Sequence, residues 1–296
     1  MPRKKATKSE WRKTIAKQAE KCQAFTGKVC VNVSGGDGSA VAWHRCLEWY
    51  GADRVIPVFA DTNSEHKDLY RFLNDCEAAF GQKITRLNDG RNIWDVFDQT
   101  GMLRIARAGG ACKASIELKQ KPLDKHFKEC GADAIAVGIE FQEPERMTRF
   151  ETKLDPVQVL FPLAEAPLLG ECEIHDYVRK LGIAPCVSYE EGHGHNNCLA
   201  GGCILAGLNQ WAGILKMNPE GFAYAEQRET VFADKTGFTI LRDQSGGQVR
   251  PYRLSDLRAD VEAGKKFSDS WKSQCNCMEP QPLLFTLDEC FGGDAT

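Results

Sequence analysis

The residues best suited to chemistry lie in a glycine-rich turn that follows an apolar run at residues 29–33. A strand that ends in such a turn and leads into a helix leaves several backbone N–H groups pointing at one place, where the helix N-terminus adds partial positive charge. Glycine lets the backbone approach an anion closely because it has no Cβ. The turn is therefore a candidate phosphate-binding loop, and its members are Ser34, Gly35, Gly36, Asp37, Gly38 and Ser39.

Two familiar phosphate-binding motifs are excluded for this loop. No Gly-Lys-Ser/Thr follows the glycines, so the loop is not a Walker loop, and the glycine spacing does not match the dinucleotide fingerprint. The alternative is a connecting turn that binds nothing, because glycine-rich turns are common in α/β proteins.

Cysteines are the second group of reactive residues, and the chain contains 13 of them. No apolar leader precedes them and no apolar run could span a bilayer, so we expect a cytoplasmic chain with reduced thiols. Most lie in apolar patterns or near helix ends, where a thiol acts as a small hydrophobic group. The cysteines in loops are Cys112, Cys198, Cys203, Cys275 and Cys277.

These loop cysteines could hold a metal centre if the fold gathers them. Four thiolates suit a [4Fe-4S] cluster, and the same set could bind zinc. The alternative is a set of unconnected thiols. The candidate ligands are Cys112, Cys198, Cys203 and one of the Cys275/Cys277 pair, with Cys277 preferred and with His193 or His195 as a nitrogen ligand for zinc.

The residues that follow the second predicted strand are also candidates for ligand binding. The apolar run at residues 54–60 is followed directly by Asp61 and Thr62. Ligands of doubly wound sheets bind at the carboxyl ends of the strands, so we expect both residues beside the glycine-rich loop. Asp61 could hydrogen-bond a ribose, hold a metal ion such as Mg²⁺, or cap the next helix.

Alternating strand and helix patterns predict a parallel α/β sheet. Further strands are expected at residues 84–87, 132–139 and 159–163, and the pattern predicts a glycine-rich break at 109–115, a helix at 115–128 and a charged loop at 143–149. The composition predicts an N-terminal arm and helix (1–27), a nucleotide-binding domain (28–190) and a Cys/His/Gly-rich loop with a helical C-terminal region (191–296). The net charge of −3 does not require a nucleic-acid partner.

Several motifs in this order resemble the phosphoadenosine phosphosulfate (PAPS) reductase family of the adenine nucleotide α-hydrolase-like, or PP-loop, superfamily, especially its phage and bacterial branch with an Asn-Asn-Cys element. The residues that carry the resemblance are Ser34-Gly35-Gly36 with Ser39, Asp61-Thr62 with Glu65, Cys112 with residues 117–123, Gly138-Ile139-Glu140 with Glu143 and Arg146, and residues 195–198 with 201–203.

The resemblance implies a Rossmann-like parallel sheet of five strands flanked by helices, with a mostly helical, Cys-rich C-terminal extension. It implies that the glycine-rich loop holds the phosphates of an adenine nucleotide, ATP or PAPS. PP-loops commonly read Ser-Gly-Gly-x-Asp-Ser, whereas here Gly38 takes the place of the aspartate and Asp37 occupies the variable position. Cleavage of ATP to pyrophosphate is therefore less secure than nucleotide binding.

The resemblance also implies an enzyme that performs redox or sulfur-transfer chemistry at the α-phosphate side of the nucleotide, near a cysteine-bound centre. An electron or sulfur donor protein would then be a partner. The alternatives are an ATP-dependent sulfurtransferase that acts on nucleic acid and a non-catalytic nucleotide sensor, which Gly38 favours. Residues assigned on this basis are Gly138, Lys119 and Arg146 for nucleotide binding and, by position, Cys275 and Cys277 for catalysis. The side chains of Lys119, Lys121, Arg146 and Arg149 could neutralise phosphate or sulfate charge, and the alternative for each is a solvated surface residue.

Overall fold

The computed structural model describes residues 7–106, 109–190, 198, 202–243 and 247–268. Within these ranges the strands are β1 (Val29–Asn32), β2 (Val55–Ala60), β3 (Thr85–Leu87), β4 (Arg104–Ala106), β5 (Gly109–Cys112), β6 (Ala134–Val137), β7 (Gln158–Leu160), β8 (Leu241–Asp243) and β9 (Arg250–Tyr252). The helices are α1 (Lys8–Ala24), α2 (Asp37–Tyr50), α3 (Lys67–Phe80), α4 (Ile93–Thr100), α5 (Lys113–Ser115), α6 (Lys121–Glu129), α7 (Pro144–Leu154), α8 (Glu171–Lys180), α9 (Val187–Glu190), α10 (Leu208–Met217), α11 (Pro219–Thr236) and α12 (Leu254–Glu262).

A parallel sheet forms the centre of the fold, with the strand order β3-β2-β1-β6-β7. Strands β2 and β3 are added on one side of β1, and the chain then crosses to add β6 and β7 on the other side. The strand order therefore reverses between β1 and β6. This topological switch point opens a crevice at the carboxyl ends of the two strands. The predicted parallel α/β sheet of five strands is confirmed.

Helices cover both faces of the sheet because the side chains of each strand alternate in direction. Val29 and Val31 face the core that contains Trp43 of α2. The opposite face is covered through Ile135 and Val137 of β6, which pack in a separate cluster with α1 and α7 residues. Register pairs Val29 with Ala134 and Cys30 with Ile135, so Cys30 shares the α7 side with Ile135.

A second core lies apart from the sheet. It joins aromatic residues of α4, such as Trp94 and Phe97, to Trp211 of α10 and Phe222 and Phe232 of α11. Three of the predicted cysteine ligands pack at this second core. Cys203 is a buried member of the cluster, and Cys112 and Cys198 lie against it.

Two irregular segments differ from the sequence-based prediction. The predicted glycine-rich break at 109–115 is instead strand β5, which pairs antiparallel with β4. Its glycines hide the strand pattern, because a strand rich in glycine has few side chains to alternate. The charged segment predicted as a loop at 143–149 forms the start of α7, where Pro144 occupies the first turn and Met147 is buried.

A π-helical turn at Ile116–Gln120 joins α5 to α6. Pro122 lacks an N–H and its ring clashes with the carbonyl four residues before it. The backbone widens at this point, and the Lys121 N–H bonds the Ile116 carbonyl. The prediction of a helix interrupted near Pro122 is therefore accurate, and the interruption takes a specific form that is frequent at functional sites.

No helix among the described residues is both long enough and apolar enough to cross a membrane.

We predict opposite effects for alanine at two facing glycines. A Cβ on Gly138 would lie 2.7 Å from the Gly38 carbonyl oxygen and 2.8 Å from the Ser39 Cα, whereas the nearest atom to a Cβ on Gly38 is 3.5 Å away. Gly138→Ala should lower the free energy of unfolding by about 2 kcal/mol through overpacking. Gly38→Ala should be neutral or stabilising by up to about 1 kcal/mol, because Gly38 is helical. Denaturant unfolding of both variants tests this, and an equal loss in the two would contradict it.

Candidate functional site

The glycine-rich loop is closed by the side chain of its last residue. Ser39 Oγ accepts a hydrogen bond from the Ser34 N–H at 3.0 Å and donates to the Gly36 carbonyl at 2.7 Å. Gly35 has a φ of +82°, a conformation that favours glycine, and a Cβ there would collide with Leu69 of α3. Ser39 therefore acts first on the loop itself, by holding its backbone in one conformation at the N-terminus of α2.

Two other segments close over the loop. A Cβ on Gly36 would lie 2.9 Å from the Tyr189 hydroxyl. On the opposite side, Gly138 at the end of β6 lies against Gly38 and Ser39 with no room for a side chain. The predicted loop residues and Gly138 thus lie next to one another, at the end of β1 and beside the switch point.

Asp37 has a partner that no sequence motif indicates. The carboxylate is buried, with 1% of the residue exposed, and Oδ2 lies 2.6 Å from His175 Nδ1. The hydrogen bond to Asp37 raises the pKa of His175, and burial opposes the shift. Among the described residues, Asp37 Oδ1 has no hydrogen-bond partner. His175 stands in α8 with nothing in its spacing to single it out.

A second carboxyl group faces the loop from the end of β6. Glu140 Oε1 lies 4.0 Å from the position that a Cβ on Gly38 would take. The pKa of Glu140 is raised to about 7, mainly by burial and also by Glu143 and Glu171, while Arg146 and His175 oppose the shift. A titratable carboxyl group therefore stands next to the residue at which the chain departs from the common PP-loop pattern.

A cavity of about 250 Å³ opens at the switch point. Ser34 and Ser39 form its loop side, and Arg146 and Lys153 supply positive charge. Arg146 Nη1 donates to both carboxylate oxygens of Glu143, at 2.9 Å each. The remaining wall is largely apolar and comes from β1, β6, α6 and α7, with Asn32, Gln120, Leu123, Asp124, Ile135, Val137, Gly138, Ile139, Phe150 and Leu154. An apolar chamber beside a glycine-rich loop can take a flat base and sugar with phosphates towards the loop.

Glu65 connects the loop region to the cysteine-bearing segments. Its side chain is fully buried and lies 3.1 Å from Lys119 Nζ in an ion pair. The Thr62 hydroxyl donates to Glu65 Oε1 at 2.9 Å, and the Cys198 N–H donates to Oε2 at 2.8 Å. From the sequence, Glu65 is only one residue of a motif and no role can be assigned to it. In the structure its side chain contacts the segment after β2, the π-helical turn and the Cys198 segment beside the second core.

Asp61 and Thr62 have structural partners in this protein. Asp61 Oδ1 accepts from the Asn63 N–H at 2.9 Å and from the Tyr70 hydroxyl at 2.8 Å. The N-cap of α3 is His66, not Asp61. Asp61 therefore orders the turn after β2, and Thr62 orients Glu65.

Three of the predicted metal ligands come together. The Cys203 thiol raises the pKa of Cys112, and the thiols of Cys112 and Cys203 both raise the pKa of Cys198. Burial raises the pKa of Cys112 to about 11 and raises that of Cys198 well above its usual value, while Lys119 lowers both. Among described residues, these three sulfurs do not all lie within 4.8 Å of one another.

That spacing bears on which group would fit. A single zinc ion brings its ligands close together, whereas each cysteine of a cubane cluster binds a different iron, so the sulfurs stand farther apart. Three soft donors beside a lysine, which offsets thiolate charge, have the chemistry that both zinc and iron–sulfur sites use. The other predicted participants, Cys275, Cys277, His193 and His195, lie outside the described residues.

Together the fold and the site define a doubly wound α/β protein with a phosphate-binding type of loop at its switch point. The model of the phosphoadenosine phosphosulfate reductase domain matches residues 28–225, and the chain belongs to this family, within the PP-loop superfamily.

One matching solved structure is that of phosphoadenylyl-sulfate (PAPS) reductase from Candida auris in a phosphate complex. It is 10% identical, the alignment covers 66% of this chain and 96% of that chain, and the TM-score is 0.45. Comparison with curated protein sequences finds no match.

We predict that the Asp37–His175 pair stabilises the fold in a pH-dependent manner. The pKa of His175 is raised in the folded state, so the pair's contribution is fully present below about pH 6.5 and is lost as pH rises through the folded value. His175→Gln should lower the free energy of unfolding by about 2 kcal/mol at pH 6 and by less at pH 9.

Guanidinium unfolding at the two pH values measures this effect. Asp37→Asn is the matched variant, and adding His175→Gln to it should cost little more. A loss in His175→Gln that is the same at pH 6 and pH 9 would show that the pair carries no charge-dependent stabilisation.

Proposed function

We propose that the protein is a PAPS-reductase-family enzyme that binds an adenine nucleotide in the switch-point cavity. Its phosphates lie in the loop of residues 34–39, and redox or sulfur-transfer chemistry takes place at the α-phosphate side. The observation that carries the proposal is the position of the cavity. It opens between the preformed loop, with Ser34 and Ser39, and the cationic residues Arg146 and Lys153.

The groups around the cavity have separable roles in this proposal. Backbone N–H groups at the start of α2 bind the phosphates, favoured by the helix dipole. Arg146, oriented by Glu143, neutralises phosphate or sulfate charge. The apolar wall formed by Leu123, Phe150 and Leu154 excludes water from the base.

Lys119 and Glu65 link this cavity to the cysteines. Lys119 lies in the π-helical turn that precedes α6, and α6 contributes Leu123 and Asp124 to the cavity wall. Cys112, Cys198 and Cys203, with a fourth ligand proposed from Cys275 or Cys277, would hold an iron–sulfur cluster. Such a cluster supplies an electron or sulfur relay when bound. A donor protein would then deliver electrons or sulfur to this region.

Gly38 favours the sensor as a second candidate, because the loop lacks the aspartate that the family commonly has there. The structure adds Glu140, a carboxyl group on the neighbouring strand end, close to the same position. We propose that this group contributes to chemistry at the loop if the protein is an enzyme, whereas a sensor would not need it.

Nucleotide binding tests the loop assignment. Ser39→Ala combined with Gly36→Ala removes the hydroxyl that closes the loop and places a methyl group against Tyr189. We expect affinity for ATP or PAPS, measured by calorimetry, to fall by at least about tenfold, or roughly 1.4 kcal/mol. Gly38→Ala is the control within the loop and should retain binding. Unchanged affinity in the double variant would remove the loop from the site.

Product assays on the anaerobically purified protein separate the reactions. Sulfite released from PAPS with a dithiol donor supports a reductase, and pyrophosphate released from ATP supports a sulfurtransferase. Binding with neither product supports the sensor and contradicts the enzyme proposal. Broad visible absorption that disappears on oxidation, together with iron in the protein, supports the cluster. Zinc without iron contradicts it.

Glu140 should make nucleotide affinity depend on pH. Its pKa is raised to about 7, so the group is neutral at low pH and gains a negative charge as pH rises. That charge repels the phosphates by about 1 kcal/mol, and affinity should fall about fivefold between pH 6 and pH 8, relative to a Glu140→Gln variant measured at the same pH.

The comparison at each pH cancels the ionisation of the nucleotide itself. Glu220→Gln is the control, since Glu220 is exposed, lies in α11 and does not line the cavity. If nucleotide affinity depends on pH equally in wild type and Glu140→Gln, the Glu140 carboxylate does not act on the bound phosphates.

A further inference from the structure

A compact group of metal-ligand side chains lies on the opposite side of β1 from α2, apart from the loop cysteines. Cys30, His126 and Cys130 each offer one ligand atom, and these atoms all lie within 4.8 Å of one another. Among described residues, this is the group of three that meets that spacing. Zn–S and Zn–N bonds of about 2.3 and 2.0 Å at tetrahedral angles place ligand atoms roughly 3.5–3.8 Å apart. Small side-chain rotations would therefore bring the three onto one ion.

Regular structure positions the three residues. Cys30 lies on β1 and is paired in register with Ile135 of β6, so both face the same side of the sheet. His126 lies in α6 and Cys130, four positions later, is the C-cap residue directly after it, so both lie on one face of the helix. The strand supplies one ligand and the helix supplies two.

The side chains of this group include a buried polar atom that a bound metal ion would satisfy. His126 Nε2 is buried and has no hydrogen-bond partner among the described residues, a costly arrangement for a polar atom. Cys30 is 1% exposed. Burial and, to a lesser extent, the adjacent Cys130 thiol raise the pKa of Cys30 to about 12. Metal binding would remove both thiol protons and satisfy the imidazole.

We propose that Cys30, His126 and Cys130 bind a divalent zinc-type ion, with water or a small ligand in the fourth position. The site stands independently of the proposed function, because it uses none of the loop cysteines. Bound metal fixes α6 against β1. Leu123 and Asp124 of α6, together with Ile135, line the switch-point cavity, so the ion sets the position of one cavity wall.

The test compares variants of the proposed zinc ligands with a variant of the loop cysteines. Zinc per chain is measured by elemental analysis after desalting, and Co²⁺ is titrated into metal-free protein while thiolate-to-cobalt absorption is recorded. Wild type and Cys203→Ser should both bind about one equivalent at this site with tetrahedral Co²⁺ bands. Cys130→Ser and His126→Gln should lose that equivalent. Exposed Cys172 gives a matched serine control that should behave as wild type.

Stability supplies a second readout that does not depend on activity. Chelation should lower the midpoint of thermal unfolding in wild type and Cys203→Ser and leave Cys130→Ser unchanged. Circular dichroism confirms that each variant is folded, and His126→Gln serves if Cys130→Ser fails to fold. Equal metal content in wild type, Cys130→Ser and His126→Gln overturns the proposal. So does a Cys30–Cys130 disulfide, detected as a mass lower by two hydrogens in the unreduced protein.

Discussion

The buried carboxylate of Glu65 joins three segments that are distant in sequence. A buried charge is tolerated only when it is paired and its remaining oxygen positions are hydrogen-bonded. Glu65 meets this condition through Lys119, the Thr62 hydroxyl and the Cys198 backbone N–H. The end of β2, the π-helical turn and the cysteine segment are therefore held together by one group. Removing it would take away the carboxylate that compensates the charge of Lys119 in a largely buried setting.

The π-helical turn explains how Lys119 reaches Glu65 while the chain continues as α6. An uninterrupted α-helix would place Pro122 against the carbonyl of Leu118. The wider turn at Ile116–Gln120 removes that clash and rotates the residues before it relative to those after it. The cavity wall and the cysteine region are thus positioned by the same local irregularity, which links the switch-point cavity geometrically to the second core.

The parts of the fold that can be predicted from the sequence are those with a clear repeat. Buried parallel strands read as apolar runs, and that pattern, with the polar residues that follow it, locates β1, β2 and β6. The loop of residues 34–39 is predictable because glycines and serines at the end of an apolar strand are typical of a phosphate-binding turn. Strand β5 escapes prediction because its glycines carry no side-chain pattern.

The rest of the site cannot be predicted because it depends on long-range contacts. His175 pairs with Asp37 across 138 positions, and nothing near either residue signals this. Glu140 acquires its raised pKa mainly from burial and in part from Glu171, 31 positions away, and only the folded chain supplies both. The charged segment at 143–149 is predicted as a loop because charge dominates its composition. Its few apolar residues, such as Met147, are spaced for a helix and are the ones that pack.

The two hydrogen bonds of Ser39 affect the thermodynamics of anion binding in the loop. Its hydroxyl both accepts from Ser34 and donates to Gly36, so the loop is already closed before a ligand arrives. A loop that is ordered in advance does not lose conformational entropy on binding. Differences in affinity between anions would then arise mainly from desolvation and charge. Such binding should show a small entropic penalty and little change in the backbone of the loop.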